Sequence, residues 1–203
     1  MSQLPDTKAA GAAVRYRVLV VDDEPTLRLG FSYALSDHDT DTAAGGVEAL
    51  SKLENESYDL VILDLRMPDI DGLRVIESLR RHGNSLPVVL CSAVITPSAA
   101  LRAITGQVVD FLLKPVHPKE LRGVVKHVMA PGGDGFALAM AQARAGRHDE
   151  AVRALQDLGE ESERVQAWLG ILRAIRMGSL EGEAAAFGRL EKEGLSALAF
   201  RAA

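Results

Sequence analysis

The chain has 203 residues, 47% hydrophobic and 25% charged, which is enough apolar material for one or two packed cores and excludes disorder in bulk. A formal net charge of -5 argues against a dominant nucleic-acid surface. No run reaches the roughly 18–20 apolar residues of a membrane span, no early segment resembles a signal peptide, and the single cysteine, Cys91, excludes an internal disulfide, so a cytoplasmic protein is expected.

Residues 1–14 hold Pro5, Gly11 and several alanines without periodicity, and are expected to be a mobile N-terminal arm. A first strand is predicted over Arg17 to Val21, running directly into Asp22-Asp23-Glu24. Pro25 opens a helix with Leu27, Phe31, Ala34 and Leu35 on one side. His38 to Ala43 is a short polar segment that suits an edge strand. After Gly45-Gly46 a second helix is predicted with Val47, Leu50 and Leu53 as its apolar stripe.

Leu60, Val61, Ile62 and Leu63 form a continuous apolar run, as in a parallel strand covered on both faces, and the run ends in Asp64. Pro68 and Gly72 bracket a turn into a helix of about Leu73 to Arg81, carrying Val75, Ile76 and Leu79 and stopped by His82-Gly83-Asn84. A fourth strand is predicted from Pro87 to Ala93, its apolar run ending in Ser92. Thr96-Pro97 then cap a thin helix whose main apolar contacts are expected from Leu101 and Ile104. Val108 to Leu113 is the fifth strand, ending in Lys114-Pro115. A helix from Pro118 follows with Leu121, Val124, Val125 and Val128 at i, i+3, i+4 and i+7. This alternation predicts an α/β fold: a doubly wound five-stranded parallel sheet with right-handed crossovers over residues 15–129.

Asp22, Asp23, Asp64, Ser92 and Lys114 all stand at carboxyl ends of predicted strands, the edge where such sheets gather their chemistry. Three carboxylates crowded there repel one another and call for a cation, for which a hard, oxygen-seeking Mg²⁺ is suited. A lysine adds a positive charge that can pair with a carboxylate or a phosphoryl oxygen, and a serine adds a neutral donor. The set fits a carboxylate nucleophile that accepts a phosphoryl group. For any single residue, a strand cap or a solvated charge explains it equally well. The five histidines, His38, His82, His117, His127 and His148, show no metal spacing and read as solvated or helix-end residues.

With these residues in place, positions 17–129 resemble the receiver domain of bacterial two-component response regulators, a flavodoxin-like fold of chemotaxis type. The matching stretches are Val-Val-Asp22-Asp23-Glu24-Pro25, Asp64-Leu-Arg-Met-Pro68 with Gly72 beyond it, Ser92-Ala93, and Asp110-Phe-Leu-Leu-Lys114-Pro115. The resemblance implies strand order 2-1-3-4-5 and phosphorylation of Asp64 by a sensor histidine kinase or phosphotransfer protein. It also implies a Mg²⁺ site organised by Asp22 and Asp23, with Asp23, Asp64 and the Arg66 carbonyl as direct ligands. Ser92 and the Ala93 N–H would contact the phosphoryl group, and Lys114 would form its ion pair. Phe111 occupies the aromatic switch position, Arg66 and Val94 the positions that tune hydrolysis, and the bond before Pro115 is often cis. Gln107-Val108 stands where the family usually has Gly-Ala.

Ala130 to Gly135 has the composition of a linker, and residues 136–203 show helical periodicity throughout, as expected of a small all-α domain. Phe136 to Ala145 and Asp149 to Leu158 form one expected pair around a turn at Gly146-Arg147-His148, and Val165 to Met177 and Glu183 to Glu193 form a second. The stretch from Ala143 to Ala151 and Trp168-Leu169-Gly170 weakly resemble tetratricopeptide helices. A generic four-helix cap or a homodimerisation unit fits equally. No basic recognition helix and no clustered catalytic chemistry stand out in the tail. The reading is a phosphorylation-controlled protein-interaction module with an unidentified downstream protein, catalysing only its own Mg-dependent phosphorylation and dephosphorylation. A transcriptional regulator with a divergent nucleic-acid-binding tail, and a scaffold or inhibitor of another signalling enzyme, are the alternatives.

Overall fold

The computed structural model describes residues 14–94, 96–130, 135–158 and 163–176. The elements run β1 (Arg17–Val21), α1 (Pro25–Ala34), β2 (Asp39–Ala43), α2 (Gly46–Asn55), β3 (Leu60–Asp64), α3 (Gly72–Arg81), β4 (Val88–Ser92), α4 (Pro97–Thr105), β5 (Asp110–Leu113) and α5 (Pro118–Val128). Three further helices follow: α6 (Gly135–Arg144), α7 (His148–Gln156) and α8 (Glu163–Arg176). The expected arm over residues 1–14, the linker over 130–135 and the helix over Glu183 to Glu193 lie wholly or largely outside the described residues.

The five strands form one parallel sheet in the order β2-β1-β3-β4-β5, as the resemblance implied. Every residue of β3 and β4 is buried, the pattern of strands covered on both faces. Alternate side chains feed two cores. Leu19, Val21, Val61, Leu63, Val88 and Leu90 pack with α2, α3 and α4, while Val18, Val20, Leu60, Ile62, Val89 and Cys91 pack with α1 and α5. Burial holds the Cys91 thiol well above its ordinary pKa, so it behaves as a small apolar side chain. β2 lies at the edge, where its polar sequence is at home.

Local differences from expectation have physical causes. In α2 the buried stripe is Gly46, Ala49 and Leu53, and Val47 is 58% exposed. The helix starts at Gly46, so Val47 falls one step of about 100° off the inward direction. In α4 the inward residues are Ala100, Ala103 and Ile104, and the Leu101 side chain lies outside the described residues. β5 begins at Asp110 because residues 106–108 close α4. Gln107 N–H donates to Ile104 O at 3.0 Å and Val108 N–H to Ala103 O at 3.0 Å, with Gln107 at φ 57°. That is the Schellman arrangement, with glutamine in the left-handed position that glycine usually fills. Arg80 braces the same turn, donating through Nε to Gly106 O at 2.8 Å and through Nη2 to Gln107 O at 3.3 Å.

α6 also ends in a Schellman turn, with Gly146 at φ 74°. The chain reverses there, so that α6 and α7 pack as a hairpin and α8 packs on α7. α6 and α8 both also contact α4. Met140, Leu155, Trp168, Leu169 and Leu172 are buried in the same apolar cluster as Ala103, Ile104 and Phe111, so the all-helical C-terminal region shares a core with one face of the sheet.

Candidate functional site

β1, β3, β4 and β5 end side by side at the carboxyl edge of the sheet, where α/β sheets of this kind form their crevices. The register aligns Val21 with Leu63, Asp64 with Cys91 and Ser92 with Leu113, which brings Asp22, Asp64, Ser92 and Lys114 to one rim. An open cavity of about 630 Å³ is lined there by Asp22, Asp23, Asp64, Arg66, Ser92, Ala93 and Lys114, together with Glu24 and Val94. Phe111 is not part of this lining. It is buried in the core beside α8.

Gly72 explains how the turn after β3 can close. A Cβ there would stand 2.4 Å from the carbonyl oxygen of Asp64, and the Gly72 N–H donates to Leu65 O at 3.0 Å. Only a residue without a side chain lets the start of α3 approach the backbone of Asp64 so closely. Asp71 caps the same helix, its carboxylate accepting from the Arg74 N–H at 3.0 Å. In the same loop, Asp69 accepts from the N–H groups of Gly46 and Val47 at 3.1 and 2.9 Å, tying it to the start of α2.

The electrostatic centre is Lys114. Its Nζ lies 2.5 Å from Asp64 Oδ1 and 2.7 Å from Asp22 Oδ2, and both aspartates are almost completely buried. The remaining carboxylate oxygens are held by backbone: Asp64 Oδ2 accepts from the Arg66 N–H at 2.8 Å and Asp22 Oδ1 from the Glu24 N–H at 2.9 Å. Burial pushes the Asp64 carboxyl above its usual range. The Lys114 ammonium and the Arg66 N–H pull it down, and the neighbouring Asp22 charge adds to the rise. Burial alone would lower the Lys114 pKa, but its bonds to Asp22 and Asp64 outweigh that and hold the ammonium more firmly charged than usual.

The Ser92 hydroxyl is turned toward its own loop, donating to Val94 O at 2.6 Å and accepting from the Val94 N–H at 3.2 Å. Asp23 and Glu24 are exposed at the mouth of the cavity. Two buried carboxylates against one ammonium leave the floor with a net negative charge, to which Asp23 adds. Such a surplus of hard oxygen donors suits a divalent cation. Among the described residues, no three His, Cys, Asp or Glu side chains converge closely enough to hold a metal ion. Also among the described residues, no helix is long and apolar enough to cross a membrane.

Two residues outside the expected set meet at the opposite end of β5 from Lys114. Asp110 is fully buried at the start of β5, its Oδ1 accepting from the Phe111 N–H at 2.8 Å, and Trp168 of α8 reaches the same oxygen at 3.4 Å. The sequence offers no local signal for this pairing, since 58 residues separate the partners.

Comparison with known proteins agrees with this architecture. Residues 18–126 match the response regulator receiver domain. The chain is 34% identical over 116 residues to the transcriptional regulatory protein TcrA of Mycobacterium tuberculosis, covering 56% of this chain and 46% of that protein. It is 33% identical over 115 residues to the alkaline phosphatase synthesis transcriptional regulatory protein PhoP of Bacillus subtilis, covering 56% of this chain and 48% of that protein. The chain thus spans less than half the length of these relatives. Among solved structures, a response regulator receiver protein from Pseudomonas putida is 35% identical with a TM-score of 0.53, covering 56% of this chain and 98% of that one. The chemotaxis protein CheY4 of Vibrio cholerae is 27% identical with a TM-score of 0.54, covering 57% of this chain and 100% of that one.

Proposed function

The chain belongs to the response regulator receiver domain family through residues 18–126, and from that membership we propose that it is a signalling relay whose phosphoryl acceptor is Asp64. The observation that carries the reading is the pairing of two buried carboxylates, Asp22 and Asp64, through the single ammonium of Lys114 on the floor of an open cavity. Family membership carries the expectation of a histidine kinase or phosphotransfer protein as donor.

In the proposed reaction an Asp64 carboxylate oxygen attacks the phosphorus of the donor. An O–P bond forms, the donor's P–N bond breaks, and the bonding pair returns to the imidazole nitrogen. Lys114 is placed to follow the developing charge from Asp64 Oδ1 onto a phosphoryl oxygen, because its second bond to Asp22 keeps it anchored during the change. Ser92 would exchange its bond to Val94 O for one to the phosphoryl group, and the Ala93 N–H would add a backbone donor. The Asp23 and Asp64 carboxylates and the Arg66 carbonyl would hold Mg²⁺ directly, with Asp22 helping to organise the site, a hard-oxygen set suited to that ion. When bound, Mg²⁺ neutralises charge on the transferring phosphoryl oxygens.

The site is tested by incubating the full chain with Mg²⁺ and a small phosphodonor. One base-labile phosphoryl group per chain is expected, absent without Mg²⁺ and absent in Asp64→Asn. Equal labelling of the variant would remove Asp64 from the role.

We further propose that the chain divides into a receiver over residues 15–129 and a helical output unit beyond residue 135. For that unit, phosphorylation-dependent binding of another protein is one reading. The names of the relatives favour a second, in which the chain regulates transcription through a divergent nucleic-acid-binding tail. Their similarity extends over 115 and 116 residues, 56% of this chain. The second reading requires DNA affinity that falls steeply as salt rises, and a salt-independent signal would count against it.

A further inference from the structure

α2 starts without a cap of its own. Its N-cap is Gly45, which has no side chain to accept from the free N–H groups of the first turn. The acceptor comes from another loop, 22 and 23 residues further along: the Asp69 carboxylate takes the Val47 N–H at 2.9 Å and the Gly46 N–H at 3.1 Å, one oxygen for each. The positive end of the helix favours that charge. Burial alone would raise the Asp69 pKa, but the N–H groups of Val47, Ile70 and Gly46 outweigh it and hold the carboxyl below its usual range. The two loops touch closely. A Cβ on Gly45 would stand 2.6 Å from Asp69 Oδ2, and one on Gly46 would stand 2.6 Å from the Ile70 carbonyl oxygen.

Asp69 belongs to the segment 65–71 that joins Asp64 to α3 and carries the Arg66 carbonyl. The near end of this segment is fixed to the sheet. The Leu65 N–H donates to Cys91 O at 2.8 Å, Leu65 O accepts from the Gly72 N–H at 3.0 Å, and the Arg66 N–H donates to Asp64 Oδ2 at 2.8 Å. Beyond Arg66, Asp69 supplies the hold on α2. The approach to α2 is itself tied to the strand end that carries the acidic pair, since the Asp22 N–H donates to Ala43 O at 3.2 Å. Through Asp69, the loop bearing the Arg66 carbonyl is therefore braced against the connection that leaves β2 beside Asp22.

We propose that Asp69 is a positioning residue for the cation of this cavity: by bracing the segment 65–71 on α2 it keeps the Arg66 carbonyl in place and makes the site selective for Mg²⁺ over Ca²⁺. Mg²⁺ demands a near-ideal octahedral set of oxygens, whereas Ca²⁺ accepts a looser and more variable one, so a rigid ligand-bearing loop favours the smaller ion. The inference rests on the assignment of Asp23, Asp64 and the Arg66 carbonyl to the cation. Asp69 itself is outside the cavity lining and acts through the backbone.

The full chain, labelled with nitrogen-15, is titrated with magnesium chloride and with calcium chloride, and each Kd is read from the amide shifts of residues 22–24 and 64–66. The same spectra show that each variant is folded. In Asp69→Ala the Kd for Mg²⁺ should rise about tenfold, the lower end of what losing a group that braces a metal ligand costs. The Kd for Ca²⁺ should rise about twofold at most, because that ion tolerates a looser set of oxygens. Asp69→Asn keeps one acceptor oxygen for the two N–H groups and should fall between Asp69→Ala and the wild type. Glu48→Ala is the matched control, since Glu48 Oε2 accepts from the Ala44 N–H at 2.8 Å at the same helix start without touching the segment 65–71. It should leave both affinities unchanged. Unchanged Mg²⁺ affinity in Asp69→Ala overturns the role of Asp69 and leaves the cation site standing. Equal losses for the two ions, or an equal loss of Mg²⁺ affinity in Glu48→Ala, also overturn it. A wild-type chain that binds neither ion overturns this inference and the Mg²⁺ site together, while labelling of Asp64 by a phosphodonor is judged separately.

Discussion

Gly72 and Asp64 meet backbone to backbone, and the contact leaves no room for a methyl group. With a Cβ placed 2.4 Å from the Asp64 carbonyl oxygen, Gly72→Ala must push the start of α3 away from the end of β3. A loss of about 1–3 kcal/mol in urea denaturation is expected, typical of overpacking, together with slower phosphoryl uptake because the Asp64 backbone moves. Gln107 presents the opposite case. Its φ of 57° is costly for a side-chain-bearing residue. Gln107→Gly should therefore raise stability by about 0.5–1 kcal/mol, once the greater freedom of glycine in the unfolded chain is counted. At this scale the sequence was informative where chemistry repeats at strand ends. Asp22, Asp64, Ser92 and Lys114 could be placed at one edge by topology alone, and they line one cavity. The Asp110–Trp168 contact was not legible, because nothing near either residue hints at a partner 58 positions away.

Among the elements, β2 shows how a polar edge strand is fastened. Asp41 accepts from Lys52 Nζ at 2.8 Å, from the Tyr58 hydroxyl at 2.8 Å and from the Thr42 N–H at 2.7 Å, tying β2 to α2 and to the approach of β3. Burial alone would raise the Asp41 pKa, but these three donors outweigh it and hold the carboxyl below its usual range. A depressed folded pKa gives stability that is fully present above the unfolded value of about 3.9 and is lost as pH falls through the folded value. Lys52 is shifted upward, first by its bond to Asp41, so its share persists through neutral pH and is lost only when alkali strips the ammonium. Asp41→Asn should cost about 0.5–1.5 kcal/mol at neutral pH, a modest figure for a pair about a quarter to a third exposed. Urea titrations across the acid range should show less loss of stability on acidification in the variant than in the wild type. Equal acid slopes would contradict this assignment. The polar composition of residues 39–43 correctly indicated an edge strand. In the expected stripe of α2, Leu53 is buried and Leu50 packs on the core, and Val47 alone turns outward, because two adjacent glycines left the first helical residue open by one position, and one position turns a helix by about 100°.

For the molecule as a whole, periodicity was enough to give a parallel sheet followed by helices, and the order β2-β1-β3-β4-β5 is what the resemblance implied. Periodicity identified the helices α6, α7 and α8 but not where they pack, since an apolar stripe states that a face is buried and not against what. Their docking on α4 joins the helical unit to the core on one face of the sheet, and modification of Asp64 is the event on which the whole account turns. That event can be read directly. The full chain is treated with Mg²⁺ and a phosphodonor, reduced with borohydride to convert an aspartyl phosphate to homoserine, digested, and mapped by mass spectrometry. The account predicts conversion at position 64 alone, in proportion to the phosphoryl taken up. Conversion at Asp22 or Asp23 instead, or phosphoryl uptake that leaves position 64 unreduced, would contradict it.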